Sequence, residues 1–116
     1  MNIEDLTLHN DFYGKLLSKR QQEVVHMICE EDFSLTESGE NLGITKQAVS
    51  EVLRRSTKKL QSFEEKLGMI QRFQKVVSQL QTIDSELGRM DEVLNKDQHN
   101  KIQDMRQQIQ NMMKQF

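Results

Sequence analysis

Hydrophobic positions in this chain recur at helical spacing almost from end to end, with little of the two-residue alternation that marks a half-buried strand. Leu6, His9, Tyr13 and Leu16, with Phe12 and Leu17 beside them, predict a first helix with one apolar face. Ser18 opens a second, because Ser18–Lys19–Arg20–Gln21 has the capping-box form, a hydroxyl three residues ahead of a glutamine. Val24, Val25, Met27 and Ile28 supply its buried stripe. Another capping box, Ser34–Leu35–Thr36–Glu37, starts a short helix that ends near Leu42, where Gly43 suits a left-handed turn. Thr45 then caps the next helix, with Ile44 turned into the core. Ser34 to Leu53 therefore reads as short helix, glycine turn, second helix, which is the helix-turn-helix plan.

No stop signal follows until Leu67, and Leu53, Leu60, Phe63 and Leu67 share the apolar side of the continuing helix. Met69, Phe73, Val76, Leu80, Ile83, Leu87, Met90 and Leu94 then recur at spacings 4, 3, 4, 3, 4, 3, 4. That is a 3.5-residue seam, with Phe73, Leu80, Leu87 and Leu94 at a positions and Met69, Val76, Ile83 and Met90 at d. Gly88 is a local weak point within it, costing about 1 kcal/mol relative to alanine. Asn95 to Asn100 is polar with loop chemistry, and a stripe resumes out of phase at Ile102, Met105, Ile109, Met112 and Phe116. Two stripes around a polar break suit an antiparallel helical hairpin or two segments joining a dimer bundle. The expected fold is all-α: a helical domain over 1–62 holding a helix-turn-helix at 34–55, then a helical association segment over 63–116 broken at 95–100. Self-association is expected through 69–116.

Composition narrows the possibilities. A chain of 116 residues is one domain, or a small domain with an extension. Seven methionines, five phenylalanines and no tryptophan describe a modest, pliable core, and proline is absent. No run approaches the roughly 20 apolar residues of a membrane span, so membrane insertion is not expected. The start, MNIEDLTLHN, lacks a basic patch and an apolar core, and nothing in it suggests export. A single cysteine, Cys29, excludes an internal disulfide framework and fits a reducing cytoplasm.

Charge is more informative than its total of −2. Residues 1–43 carry nine acids and three bases, whereas residues 44–61 carry Lys46, Arg54, Arg55, Lys58 and Lys59 against Glu51 alone. Positive charge is thus gathered on the second helix of the motif. With Val49 and Val52 inward, Lys46, Gln47, Ser50 and Arg54 point outward and Glu51 lies at the edge. Glutamine addresses adenine edges, and lysine or arginine reaches guanine or phosphate. The Thr45 and Ser34 hydroxyls, at helix N-termini, suit phosphate contacts. Arg55, Lys58 and Lys59 extend the basic surface. Duplex DNA is the expected partner, with modest affinity because the surroundings are acidic, and two copies would double the contacts.

The stretch SLTESGENLGITKQAVSEVLRRSTKKLQSFEEKL resembles the helix-turn-helix of the small bacterial YlxM/p13 family (UPF0122), whose usual form is close to SLxEIAExxxVSRQAVYDxIKRxExxLxxYExKL. The preceding DFYGKLLSKRQQEVVHMICEEDFSL is similar to that family's DFYxxLLTxKQxxYxxLYYxEDxSL, so the resemblance runs over residues 11–67. The motif is also similar to region 4 of bacterial sigma factors. The resemblance implies a cytoplasmic, all-helical, DNA-binding regulator linked to the signal recognition particle pathway, with a component of that particle as a partner. It carries Thr45, Lys46, Gln47, Ala48, Val49, Arg54 and Arg55 onto the family's SRQAV and later basic pair. Ser38 and Gly39 depart from its isoleucine and alanine, and Ser50 from its tyrosine, implying a weaker helix pair and altered binding.

Other chemistry finds less support. His9, His26 and His99 lack partners at zinc-ligand spacing, so no metal or cofactor is expected. Cys29 reads as a small packed residue with no activating base nearby. The acidic groups Glu30–Glu31–Asp32 and Glu64–Glu65 imply no pocket, and no catalytic constellation can be assembled, so an enzyme is not expected. The rival reading is a protein-interaction adaptor of the secretory machinery, in which the motif is only a scaffold.

Overall fold

A computed structural model describes residues 1–115 and is helical throughout its regular structure. Its helices are α1 (Ile3–Tyr13), α2 (Lys19–Cys29), α3 (Leu35–Leu42), α4 (Lys46–Leu67), α5 (Met69–Asp91) and α6 (Lys96–Lys114). The chain divides into two compact units, the first ending at Ile70 and the second beginning at Gln71. The all-α fold expected from periodicity is what forms.

Local chemistry explains where the helices begin. Ser18 Oγ accepts from Gln21 N–H while the Ser18 N–H donates to the Gln21 side chain, and Ser34 and Glu37 repeat the exchange. Each such cap contributes about 1 kcal/mol to helix stability. Gly43 ends α3 at φ 70° and Gly68 ends α4 at φ 61°, left-handed conformations that a side chain would strain.

In the first unit α1, α2 and α3 all pack on α4. The core gathers Leu6, Tyr13, Leu17, Val25, Leu60 and Ile70, with Phe12, Leu53 and Phe63 against it. Val24 and Val49 are fully buried as well. Burying a side chain of this size contributes about 1.5–3 kcal/mol, so these positions dominate the stability of the unit. Leu16, expected on the apolar face of the first helix, is instead exposed. The chain tightens into a 3-10 turn over Gly14–Leu16, and this change of pitch swings Leu17 inward in its place. Leu67 is also exposed, being the last residue of α4.

The second unit is an antiparallel pairing of α5 with α6. Asp91 on α5 meets His99 at 2.6 Å and Gln103 at 2.9 Å, and Asp84 meets Arg106 at 2.8 Å, so α6 runs back as α5 is retraced. Ile102 and Ile109 are buried, and Leu80, Leu87 and Leu94 are half-buried. The d positions behave differently. Val76, Ile83 and Met90 are exposed, as are Met105 and Met112. The hairpin therefore uses the a positions together with Val77, Asp84 and Asp91, a face rotated from the expected a/d seam. Gly88 sits beneath the Arg106 guanidinium and α5 passes through it without a break. The expected loop at 95–100 is also corrected. Asn95 caps α6 in a capping box with Gln98, residues 96–100 are helical, and the turn occupies 92–95. Phe116, expected on the last stripe, lies outside the described residues.

Candidate nucleic-acid interface

The helix-turn-helix is assembled from small residues where backbones meet. A Cβ at Gly39 would lie 2.7 Å from the Ile44 carbonyl oxygen, so only glycine permits this approach of α3 to the start of α4 as it stands. The Gly39 carbonyl accepts the N–H groups of both Gly43 and Ile44, closing the turn. Ser38 beside it is fully buried, and its Oγ has no hydrogen-bond partner. The family's isoleucine position is thus a core slot here filled by a hydroxyl.

That turn fixes how α4 presents itself. Thr45 Oγ1 accepts from Ala48 N–H at 3.0 Å and caps the helix, and no acid lies in its first turn. With Val49 fully buried, Lys46, Gln47, Ser50, Arg54, Arg55 and Lys58 are all exposed on the outer side. Six of the seven residues singled out from the sequence are thus solvent-exposed on α4, and the seventh, Thr45, is its exposed N-cap. Ser34, the other hydroxyl expected to meet phosphate, differs. Glu37 places a carboxylate against its N–H, which repels an anion from the start of α3.

Electrostatics on this surface is organised by Glu51, which sequence reading left at the edge. Its carboxylate accepts from Arg54 Nε at 3.1 Å, from Arg54 Nη2 at 2.7 Å and from Arg55 Nε at 2.9 Å. The hydrogen bonds from Arg54 and then Arg55 hold the Glu51 carboxyl down at about 2. The signal was present as i,i+3 and i,i+4 spacing. Beyond the clamp, Arg54, Arg55, Lys58 and Lys59 line a groove of about 490 Å³, together with Ser62 and with Gln21 from α2. Gln21 escaped sequence reading because only tertiary packing brings it to α4.

Elsewhere the chemistry is structural. His26 meets Glu31 at 3.2 Å and His99 meets Asp91. Among the described residues no three His, Cys, Asp or Glu side chains gather into a metal-binding group. Burial pushes the half-buried Cys29 thiol up, away from the reactive thiolate. No helix of the described residues is long and apolar enough to cross a membrane.

The sequence profile of a family described as "Putative helix-turn-helix protein, YlxM / p13 like" (UPF0122) matches residues 3–115. The chain belongs to this family. Similar curated proteins are named as UPF0122 proteins. A UPF0122 protein of Desulforamulus reducens is 41% identical over 70 residues, 60% of each chain. One from Thermoanaerobacter pseudethanolicus is 43% identical over 72 residues, 62% of each chain, and one from Symbiobacterium thermophilum is 40% identical over 74 residues, 64% of this chain and 69% of its own. The match to the first of these relatives thus spans about three fifths of the relative's length. No solved structure matches the chain. The family match extends through α5 and α6, well past the residues on which the resemblance was first read.

Proposed function

We propose that this UPF0122 protein is a non-enzymatic DNA-binding regulator that reads duplex DNA with the outer face of α4. The observation that carries this reading is the exposed row Lys46, Gln47, Ser50 and Arg54 on a helix anchored by a fully buried Val49 and started by an acid-free first turn. Gln47 would address adenine, Lys46 and Arg54 would address guanine, and Thr45, Arg55 and Lys58 would hold phosphates. Such a protein works in the cytoplasm, and two copies would present paired helices to the two halves of a site. The exposed stripe Val76, Ile83, Met90, Met105 and Met112 supports that pairing, since each helix repeats it at seven-residue intervals as a coiled-coil seam does.

A salt-titrated binding assay against genomic DNA fragments tests the proposal. Wild-type protein should bind at low salt, and Lys46→Glu with Arg54→Glu should abolish binding while leaving self-association intact. Absence of wild-type binding at low salt would favour the adaptor reading, in which α4 or the second unit docks on a component of the secretory machinery. The tie to the signal recognition particle rests on family resemblance.

A further inference from the structure

Past the base-reading row, and sharing Arg54 with it, a groove between α2 and α4 concentrates positive charge. It is lined by Gln21, Arg54, Arg55, Lys58, Lys59 and Ser62, four cations and two neutral donors with no acid among them. Glu51 fixes the two arginines at one end through three hydrogen bonds. Lys58 and Lys59 form no ion pair among the described residues, so their charge is uncompensated. Gln21 uses its carbonyl oxygen to accept from the Ser18 N–H, which orients the amide. The first turn of α2 holds no acid, and its dipole adds to the same positive field.

Scale decides what this groove can meet. Lys58 lies twelve residues beyond Lys46, about 18 Å along the helix at 1.5 Å per residue. The major groove of B-DNA is about 12 Å wide. When the start of α4 lies in that groove and the helix axis runs out across it, the α2–α4 groove lies past its edge, at the phosphate ridge. We infer that the α2–α4 groove is a second contact surface that clamps the phosphodiester backbone of duplex DNA flanking the bases read by α4, with Lys58 and Lys59 on phosphate oxygens and Gln21 and Ser62 donating from the walls. This inference rests on the proposed entry of α4 into the major groove. An A-form RNA duplex does not fit the same description, because its major groove is too deep and narrow to admit a helix.

Fluorescence anisotropy of the full chain with a mixed-sequence DNA duplex, repeated across salt concentrations, tests the assignment. Lys58→Gln with Lys59→Gln should reduce the slope of log affinity against log salt by about 0.9 per lost phosphate contact, roughly two for the pair. Gln21→Glu, which preserves a capping box, should weaken binding from the α2 wall alone. Gln47→Ala should weaken binding without changing the slope. Circular dichroism identical to wild type establishes that each variant is folded. If wild type binds and both groove variants keep its slope and affinity, the groove assignment is overturned while the α4 reading stands. If wild type fails to bind the duplex at low salt, both are overturned. Equal dependence of an RNA duplex on Lys58 and Lys59, with none on Lys46 and Arg54, would also overturn it.

Discussion

The Tyr13 hydroxyl donates to Glu64 Oε1 at 2.5 Å, tying the end of α1 to the last turns of α4. The pair also starts the next helix. Tyr13 Oη accepts from Met69 N–H at 3.1 Å and Glu64 Oε1 accepts from Ile70 N–H at 3.0 Å. Two backbone donors at the N-terminus of α5 are thereby satisfied by Tyr13 of α1 and Glu64 of the preceding helix. The ring itself packs at 6.0 Å from Phe63, so one residue joins the core to the α4–α5 junction at Gly68.

Tyr13→Phe should keep the packing and lose the network. It leaves a backbone donor and a carboxylate underserved in a part-buried place, costing about 1–3 kcal/mol. Thermal denaturation checks this. Burial first, and the hydrogen bond to Glu64 second, push the Tyr13 phenol above its ordinary value of 10. Its contribution to stability should therefore be complete below pH 10 and decline as the pH climbs through the raised value. An ultraviolet titration that shows phenolate forming at or below pH 10 in the folded protein would contradict this.

Ser38→Ala should stabilise the first unit by about 1 kcal/mol, since it removes a fully buried hydroxyl without a partner and adds helix propensity. The midpoint of chemical denaturation should rise with no change in its slope.

Gly39→Ala should act in the opposite direction despite the propensity gain of about 1 kcal/mol. The new methyl would lie 2.7 Å from the Ile44 carbonyl oxygen, and forcing backbones apart in a packed region costs about 1–3 kcal/mol. Denaturation of the variant, with amide shifts reported for the α3–α4 turn, distinguishes the two terms.

Glu51→Gln should release Arg54 and Arg55 from their shared carboxylate. Because these side chains are exposed, thermal stability should barely change. DNA affinity should rise on unrelated sequences, and discrimination between sequences should fall. With the Glu51 carboxyl held at about 2, below its ordinary 4.5, the clamp is present above 4.5 and is lost only as pH falls through about 2. Binding should thus show no transition from Glu51 between neutrality and mildly acidic pH.

The parts of this fold that were legible in the sequence are those set by neighbours along the chain. The Ser18–Gln21 and Ser34–Glu37 boxes, the Thr45 cap and the left-handed Gly43 each need only three or four residues to declare themselves. Asn95 misled because the same Asx chemistry serves loops and helix starts, and the balance was decided by Gln98 reaching back. The heptad stripe of α5 was visible, but periodicity does not say which half of a stripe meets a neighbour. Asp84 drew Arg106 across, and α6 settled on the side away from Val76, Ile83 and Met90. In the candidate interface the outward row of α4 followed from placing Val49 inside. Gln21 and the Tyr13–Glu64 tie join residues dozens of positions apart, and no local pattern encodes them.

Ile83→Lys should disrupt the proposed association of two copies without unfolding either, because the side chain is already exposed in the single chain. Sedimentation equilibrium should show a shift toward the 13.7 kDa monomer, with unchanged helicity.

The most direct measurement is chemical-shift mapping of isotopically labelled protein titrated with a DNA duplex that it binds. Perturbations centred on Thr45 to Ser50 and continuing through Arg54, Arg55 and Lys58 are the predicted result. Perturbations confined to α5 and α6, with that stretch of α4 unaffected at saturation, would contradict the assignment of α4 as the DNA-reading helix.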